Sequence, residues 1–162
     1  MSLTISFWYS RIPGIPQIYE LYEDSNRLTI IEEFVSGSSL REKIDTNDIS
    51  AANILRYMYD LCEILEKLHS VTPPIVHRDI KPSNIIITNY EHVVLLDFNA
   101  EKYFADTDTA DTILLGTKGY AAPEQYGFGS STPQTDIYAL GILLKELVKS
   151  LYHLFPICSF SG

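Results

Sequence analysis

Three polar side chains with complementary chemistry follow one another closely in the segment 77–84, which reads HRDIKPSN. The carboxylate of Asp79 can accept the proton of an attacking hydroxyl, and the ammonium of Lys81 can balance negative charge on a group in transfer. Asn84 offers a neutral oxygen, the type of ligand that Mg²⁺ prefers. A single loop aspartate is most often a turn former. Side chains of these three types would suit a site where a hydroxyl attacks an anionic group beside a metal ion.

Two further motifs follow along the chain. The tripeptide 97–99 (DFN) comes directly after the apolar run at 93–96, and the tripeptide 122–124 (APE) comes shortly after Thr117. With segment 77–84, they resemble the H-R-D…N, D-F-G and A-P-E motifs of protein kinases, in that order. Asn99 stands where the family usually has glycine, and asparagine also tolerates a positive φ. The lysine at position 81, two residues after Asp79, resembles the pattern of the serine/threonine branch of the family.

The resemblance implies a role for each polar residue of these motifs. Asp79 would be the catalytic base, Lys81 would contact the γ-phosphoryl group of ATP, and Thr117 would position Asp79 and shape the acceptor site. Asn84 and Asp97 would be the ligands of Mg²⁺. The site would transfer the γ-phosphoryl group to a serine or threonine of a protein substrate.

Other residues would support this site by the same resemblance. Asp136 would accept hydrogen bonds from the backbone of the catalytic loop, although a charge near a helix N-terminus is an ordinary alternative. Glu124 would pair with an arginine further along the chain, but the sequence contains no arginine after position 78. The complete supporting set is His77, Arg78, Phe98, Glu124 and Asp136.

The pair Arg78-Asp79 is typical of kinases whose activation loop is organised by phosphorylation, because a phosphate would offset a buried guanidinium. The segment 100–121 would be that loop by the resemblance. Its candidate phosphoacceptors are Thr107, Thr109 and Thr112, and an unmodified, solvated polar loop is the alternative.

The resemblance also implies a nucleotide site. The segment 33–35 would be the hinge, where the backbone of Glu33 and Val35 would meet the adenine edge. Glu32 falls at the back of the pocket, where the family usually has an apolar residue. The residues implied in ATP binding are Glu33, Val35, Leu40, Ile86 and Lys81, with Leu40 and Ile86 as the floor that faces adenine.

Hydrophobic periodicity predicts the elements that must carry these residues. Steps of three and four residues predict two amphipathic helices, whose apolar stripes we expect to form the core. The stripes are Ile54, Met58, Leu61, Leu65 and Leu68 in the first helix, and Ile137, Leu140, Leu144 and Leu147 in the second. The predicted elements are strands at 17–21 and 28–34, a strand-breaking segment at 35–38, a short helix at 39–44, a helix at 50–70, a hairpin at 85–88 and 93–96, a loop at 100–119 and a helix at 132–148.

The composition excludes some classes of protein. With a net charge of −9, the chain is a poor match for nucleic acid, because phosphate contacts require clustered lysine and arginine. Cys62 and Cys158 fit neither a metal site nor a disulfide framework, which favours reduced thiols. The sequence shows no targeting signal and no apolar segment long enough to cross a bilayer, so we expect a cytoplasmic location.

The resemblance covers residues 13–148 and leaves 1–12 and 149–162 as unmatched ends. In the family, a glycine-rich loop, a strand lysine and a helix glutamate precede the strand predicted at 17–21. Residues 1–16 contain no lysine, no glutamate and one glycine, Gly14. We therefore expect an α+β, protein-kinase-like fold that is mostly the helical C-terminal lobe, with a remnant of the N-terminal β lobe.

One functional prediction and two alternatives follow. The chain is expected to be an incomplete serine/threonine protein kinase that uses ATP and Mg²⁺ and is weakly active or inactive by itself. A non-catalytic kinase-like binding module, a pseudokinase remnant, is the alternative that the absent strand lysine favours. A small-molecule kinase of similar fold is a third possibility. Thr117 and the segment 122–124 count against it, since they would build a peptide-binding surface.

Overall fold

The computed structural model describes residues 12–24, 28–97, 117–126 and 130–154. In these parts, two small antiparallel sheets accompany three α-helices and two short 3₁₀ turns. No helix in the described parts is long and apolar enough to span a membrane. The elements are β1 (Ile18–Glu23), β2 (Leu28–Glu32), β3 (Gly37–Ser39), α1 (Leu40–Asp45), α2 (Ala51–Ser70), a 3₁₀ turn (Pro82–Asn84), β4 (Ile85–Thr88), β5 (Val93–Leu95), a second 3₁₀ turn (Pro123–Tyr126) and α3 (Pro133–Leu154).

The first sheet is the hairpin of β1 and β2, which confirms the predicted strand pair. The strands pair antiparallel, with Ile18 opposite Glu32. The N–H of Glu33 extends the pairing, because it donates to the carbonyl of Gln17 over 2.8 Å. The hairpin thus leads directly into the segment 33–36.

The second sheet has the strand order β3-β4-β5, and its pairs are antiparallel. The predicted hairpin of β4 and β5 is confirmed. The prediction of a break at 35–38 is wrong in part, because Gly37 and Ser38 pair with Thr88 and Ile87. Gly37 makes this pairing possible, since a Cβ at this position would collide with the carbonyl oxygen of Ile87.

Both of the first two helices begin with a capping box, in which two side chains satisfy N–H groups that the helix leaves unpaired. At α1, the Ser39 hydroxyl accepts from the N–H of Glu42 over 3.1 Å, and the Glu42 carboxylate accepts from the N–H of Ser39 over 2.9 Å. Ser50 and Asn53 repeat the arrangement at α2. Both predicted helices are confirmed, and the caps explain where they begin.

The core lies mainly between α2, α3 and the sheet of β4 and β5. The stripe predicted on α2 is buried, apart from Met58, which is half-buried. Tyr57 and Ile64 widen this stripe, because each lies next to one of its members along the helix and is also buried. The strands contribute Ile85, Ile87, Val93 and Leu95.

The face that α3 presents to the core differs in part from the one that its sequence predicted, and the helix extends beyond position 148. Two of the four predicted stripe residues, Ile137 and Leu144, are 55% and 40% exposed. Because this helix is apolar on several sides, hydrophobicity alone leaves its rotation open. The fully buried Asp136 fixes that rotation by its contacts with the segment 77–78. The apolar residues that face the core are Ala139, Leu140, Leu143 and Leu147.

Candidate active site

The backbone of the segment that carries Asp79 is fastened to the start of α3. The carboxylate of Asp136 accepts from the N–H of His77 over 2.9 Å through Oδ2 and from the N–H of Arg78 over 2.8 Å through Oδ1. His69 of α2 places its Nε2 2.8 Å from Oδ2. A buried carboxylate needs such partners because its desolvation is otherwise costly.

His77 joins this segment to the end of β5. Its Nε2 donates to the carbonyl of Leu96 over 2.9 Å, and its Nδ1 accepts from the N–H of Asp79 over 3.3 Å. This pair of contacts requires a neutral ring with the proton on Nε2. Burial lowers the pKa of His77, which outweighs the contact with Leu96 and the nearby carboxylates. The neutral ring therefore holds the backbone of Asp79 at a fixed position relative to the end of β5.

The Asp79 carboxylate lies at the centre of a hydrogen-bonded cluster. Its Oδ1 accepts from the hydroxyl of Thr117 over 2.8 Å. Its Oδ2 accepts from Lys81 Nζ over 2.8 Å and from Asn84 Nδ2 over 3.2 Å. Lys81 Nζ also donates to the Thr117 hydroxyl over 2.8 Å, which closes the cluster. The fold thus unites the three polar residues of the loop 77–84 with Thr117 from the segment before the APE motif.

The surroundings of Asp79 favour its ionised form. Burial by itself raises the pKa of this carboxyl group. The hydrogen bonds from Lys81 and Thr117, the positive charge of Lys81 and the hydrogen bond from Asn84 together outweigh burial, so the pKa of Asp79 lies below its ordinary value. The carboxylate is therefore available as an acceptor at neutral pH.

Asn84 and Asp97 are brought to the same place by the backbone. The N–H of Leu96 donates to the carbonyl of Asn84 over 2.8 Å, so the residue after Leu96 lies beside the 3₁₀ turn. The amide nitrogen of Asn84 is fixed on Asp79, and its Oδ1 has only a weak contact, at 3.5 Å, with the hydroxyl of Ser83. Asp97 is exposed and has a positive φ of 62°.

These two residues fit a magnesium ion that also binds a phosphate. An amide oxygen and an exposed carboxylate are hard oxygen ligands, and Mg²⁺ commonly takes one or two protein ligands together with substrate phosphates and water. The described residues contain no group of three or more histidine, cysteine, aspartate and glutamate side chains that could hold a metal by themselves. One amide oxygen and one carboxylate would leave most coordination positions of such an ion to water or to phosphate oxygens.

A sequence model of the family described as "Protein kinase domain" matches residues 8–156. This chain belongs to the protein kinase family. The match is wider at both ends than the range 13–148 that the motifs indicated. The kinase motifs thus occur in their family order on one chain.

Individual relatives agree with this family. Serine/threonine-protein kinase D of Synechocystis is 36% identical over 145 residues, which are 85% of this chain and 28% of that protein. Serine/threonine-protein kinase PrkC of Bacillus subtilis is 36% identical over 138 residues, 84% of this chain and 21% of that protein. This kinase chain therefore spans about a quarter of the length of these curated relatives. The solved structure "PpkA-294 apo form" matches with a TM-score of 0.67 and 27% identity, covering 92% of this chain and 53% of that one.

The segment that carries Thr117 is tied to the catalytic loop by a residue that the sequence did not single out. Gln125 is buried; its Nε2 donates to the carbonyl of Arg78 over 2.7 Å, and its Oε1 accepts from the N–H of Ala122 over 2.8 Å. Glu124, for which the sequence offered no arginine, instead accepts from the hydroxyl of Thr135 over 2.7 Å. Neither contact leaves a spacing signal in the sequence, because the partners lie 47 and 11 positions apart.

A second group that the sequence did not reveal joins α1, the segment 117–126 and α3. Arg41 donates to Glu146 over 2.5 Å and to the hydroxyl of Tyr120 over 3.3 Å. The Tyr120 hydroxyl also donates to Glu146. Burial, followed by the contact with Glu146, raises the pKa of Tyr120, so this hydroxyl remains protonated. The group thus links α1, the segment 117–126 and α3 to one another.

The residues implied in nucleotide binding have unequal access to solvent. The N–H of Glu33 is used by the carbonyl of Gln17, which leaves the carbonyl of Glu33 for other partners. Ile86 is half-buried, whereas Leu40 has no exposed surface and so presents nothing to a ligand here. Burial, followed by the negative charge of Asp97, raises the pKa of Glu32.

The candidate regulatory residues are only partly covered by the structure. Phe98 and Asn99 lie outside the described residues, and so do the candidate phosphoacceptors Thr107, Thr109 and Thr112. Arg78 is described: its φ is 70°, and its Nε is buried without a hydrogen-bond partner among the described residues.

Proposed function

We propose that this chain is the catalytic part of a serine/threonine protein kinase, which transfers the γ-phosphoryl group of ATP to serine or threonine in protein substrates. The observation that carries the proposal is the Asp79 carboxylate, held on both oxygens by Thr117, Lys81 and Asn84. A carboxylate fixed so firmly is suited to orient an incoming hydroxyl. The bacterial serine/threonine kinases that match most of this chain support the same reaction.

Asp79, Lys81 and Thr117 would divide the chemistry among them. Asp79 would accept the hydrogen bond, and finally the proton, of the substrate hydroxyl as its oxygen attacks phosphorus. Lys81 would turn part of its charge to the transferring group, since phosphoryl transfer depends mostly on positioning and electrostatic stabilisation. Thr117 would keep the Asp79 carboxylate in one orientation and border the acceptor site.

The nucleotide and its metal would be held on the other side of Asp79. Asn84 Oδ1 and the Asp97 carboxylate would bind Mg²⁺, which would neutralise charge on the phosphate oxygens. The Glu33 carbonyl and the Val35 backbone would meet the adenine edge, above Ile86. Leu40 would support this floor from within the core, since it is fully buried.

Regulation by phosphorylation is part of the proposal. Arg78 has a buried Nε without a partner among the described residues, which would suit an additional anion. A phosphate on Thr107, Thr109 or Thr112 would supply that anion. His77, Phe98, Glu124 and Asp136 would have supporting roles.

We also propose which lobe of a kinase the chain corresponds to. The range 13–148 would be mostly the helical C-terminal lobe of a kinase, and the hairpin of β1 and β2 would be a remnant of the N-terminal β lobe. The protein would act in the cytoplasm on protein substrates.

The second candidate is a kinase-like binding module without catalysis. The first lysine of the chain is Lys43, which follows the predicted hinge. Kinases contact the α- and β-phosphates with a strand lysine that precedes the hinge. The chain by itself would then bind nucleotide weakly and act through partners.

A transfer assay distinguishes the two. The N-terminal lobe of a bacterial serine/threonine kinase is joined ahead of residue 13, and radiolabelled ATP is supplied with a basic acceptor protein. We expect Mg²⁺-dependent labelling of serine and threonine, which phosphoamino-acid analysis detects. A folded chimera that binds Mg-ATP but labels neither residue would refute the proposal and favour the binding module.

A further inference from the structure

A groove of about 590 Å³ lies beside the hinge segment and away from the candidate catalytic cluster. We call it the hinge-side groove; its walls are the residues 13–15, the segment 33–36, one side of α2 and the turn between β4 and β5. Asp79, Lys81, Asn84 and Asp97 do not line it. Anything bound there would therefore leave those side chains free.

The hinge-side groove combines an apolar floor with two exposed aromatic side chains. Ile15 and Ile64 contribute buried side chains to the floor. Phe34 and Tyr90, which also line the groove, are 91% and 85% exposed. Exposed aromatic residues over an apolar concavity are typical anchors of a protein interface, because they bury a large area at little entropic cost.

Most of the charged side chains that line the groove are negative. Three carboxylates line the groove, those of Glu33, Asp60 and Glu63. Among the described residues that line it, Lys67 is the only lysine or arginine. None of these four side chains forms an ion pair in the described parts of the chain. Glu33 and Glu63 each accept one hydrogen bond, from the N–H of Gln17 and the hydroxyl of Tyr59. Carboxylate capacity thus remains for a positively charged ligand.

We propose that the hinge-side groove is a docking site for a short basic peptide segment of a partner protein. An apolar side chain of the peptide would pack between Phe34 and Tyr90, and its lysine or arginine side chains would pair with Asp60 and Glu63. A second copy of this chain fits poorly, because each copy carries a net charge of −9 and would repel the acidic wall. The proposal is independent of phosphoryl transfer.

Peptide binding by the 162-residue chain tests the proposal. The probe is a decapeptide of three arginines followed by alternating alanine and leucine, labelled with fluorescein at its C-terminus and followed by fluorescence anisotropy. The comparison peptide has glutamates in place of the arginines. We expect the basic peptide to bind at least about tenfold more tightly, with a difference that shrinks in high salt. Equal binding of the two peptides would overturn the proposal.

Matched variants locate the binding. Glu63→Lys should weaken binding of the basic peptide about tenfold, whereas Glu66→Lys, exposed on the same helix but outside the groove, should change it less than about twofold. Phe34→Ala should also weaken binding about tenfold, whereas Leu55→Ala, an exposed apolar residue of α2 outside the groove, should not. Lys67→Ala removes the opposing charge and should tighten binding about twofold.

The same variants distinguish a groove from general charge attraction and from self-association. Circular dichroism must show that each variant retains the helical content of the parent chain. Equal losses from Glu63→Lys and Glu66→Lys would mean attraction to the acidic chain as a whole, which contradicts a groove. A dimer on a sizing column that disappears in Phe34→Ala would assign the groove to a second copy and refute the basic peptide as its occupant.

Discussion

At the scale of single residues, the candidate site depends on how Asp79 is held. Thr117 lies 38 positions further along the chain, yet its hydroxyl reaches one carboxylate oxygen. Lys81 and Asn84 reach the other oxygen from the same loop. The carboxylate has little freedom to rotate, and its pKa is lowered, so orientation and charge are both set before any substrate binds.

Thr117 provides a residue-scale prediction with a pH readout. Thr117→Val removes a donor that lowers the pKa of Asp79, so this pKa should rise and the acidic limb of the kcat/KM profile should move to higher pH. Turnover should fall roughly 10- to 100-fold, the cost of a hydrogen bond to a charged group. The assay uses the chimera with a complete N-terminal lobe.

Thr117→Ser keeps the hydroxyl and serves as the matched control. It should retain both the acidic limb and most of the turnover. A valine variant with an unshifted acidic limb would show that the Thr117 hydroxyl does not act on Asp79.

At the scale of elements, one close backbone approach, one buried carboxylate and one buried amide side chain set the geometry. β3 approaches β4 at Gly37, and α3 is rotated so that Asp136 reaches the loop 77–78. Gln125 then ties the second 3₁₀ turn to that same loop. The contacts of Asp136 and Gln125 thus connect α3 and the segment 117–126 to the loop at 77–78.

Alanine substitutions at two glycines should change the free energy of unfolding in opposite directions. Gly37→Ala would place a Cβ against the carbonyl of Ile87, so the free energy of unfolding should fall by about 2 kcal/mol or more. Gly141 lies within α3, and a Cβ there would meet nothing within 4 Å. Gly141→Ala should therefore raise the free energy of unfolding by about 0.5–1 kcal/mol. Urea unfolding of both variants measures the difference, and a neutral Gly37→Ala would contradict the close approach of β3 to β4.

For the molecule as a whole, the sequence predicted the order of elements, and the structure brings together four residues of the predicted site, which are Asp79, Lys81, Asn84 and Thr117. The capping residues Ser39 and Ser50 mark helix starts by local chemistry, so both helices could be located closely. The segment 77–84 was identified as a candidate catalytic loop because its polar residues are close together in the sequence. The prediction placed Ile137 and Leu144 in the core wrongly, because the rotation of α3 is set by hydrogen bonds that Asp136 accepts from the distant segment 77–78. Arg41, Tyr120 and Glu146 were missed for the same reason, since three separate elements bring them together.

The exposed side of α3 gives a prediction for the whole molecule. Ile137, Leu144, Val148 and Tyr152 are all more than a third exposed on this one helix. Large exposed apolar patches favour association. The purified 162-residue chain should elute as oligomers on a sizing column, and Ile137→Lys with Leu144→Glu should shift it towards monomer. A parent chain that remains monomeric at high concentration would contradict this expectation.

The turnover of Asp79→Asn in the chimera is the critical measurement of whether the Asp79 carboxylate carries phosphoryl transfer. Glu66→Gln, exposed on α2, is the control for a lost carboxylate elsewhere. We expect Asp79→Asn to lower kcat roughly 100- to 10,000-fold, because the base and positioning roles are lost together, while Glu66→Gln should remain close to the parent. An Asp79→Asn chimera that transfers phosphate at the rate of the parent would show that Asp79 is not the catalytic carboxylate.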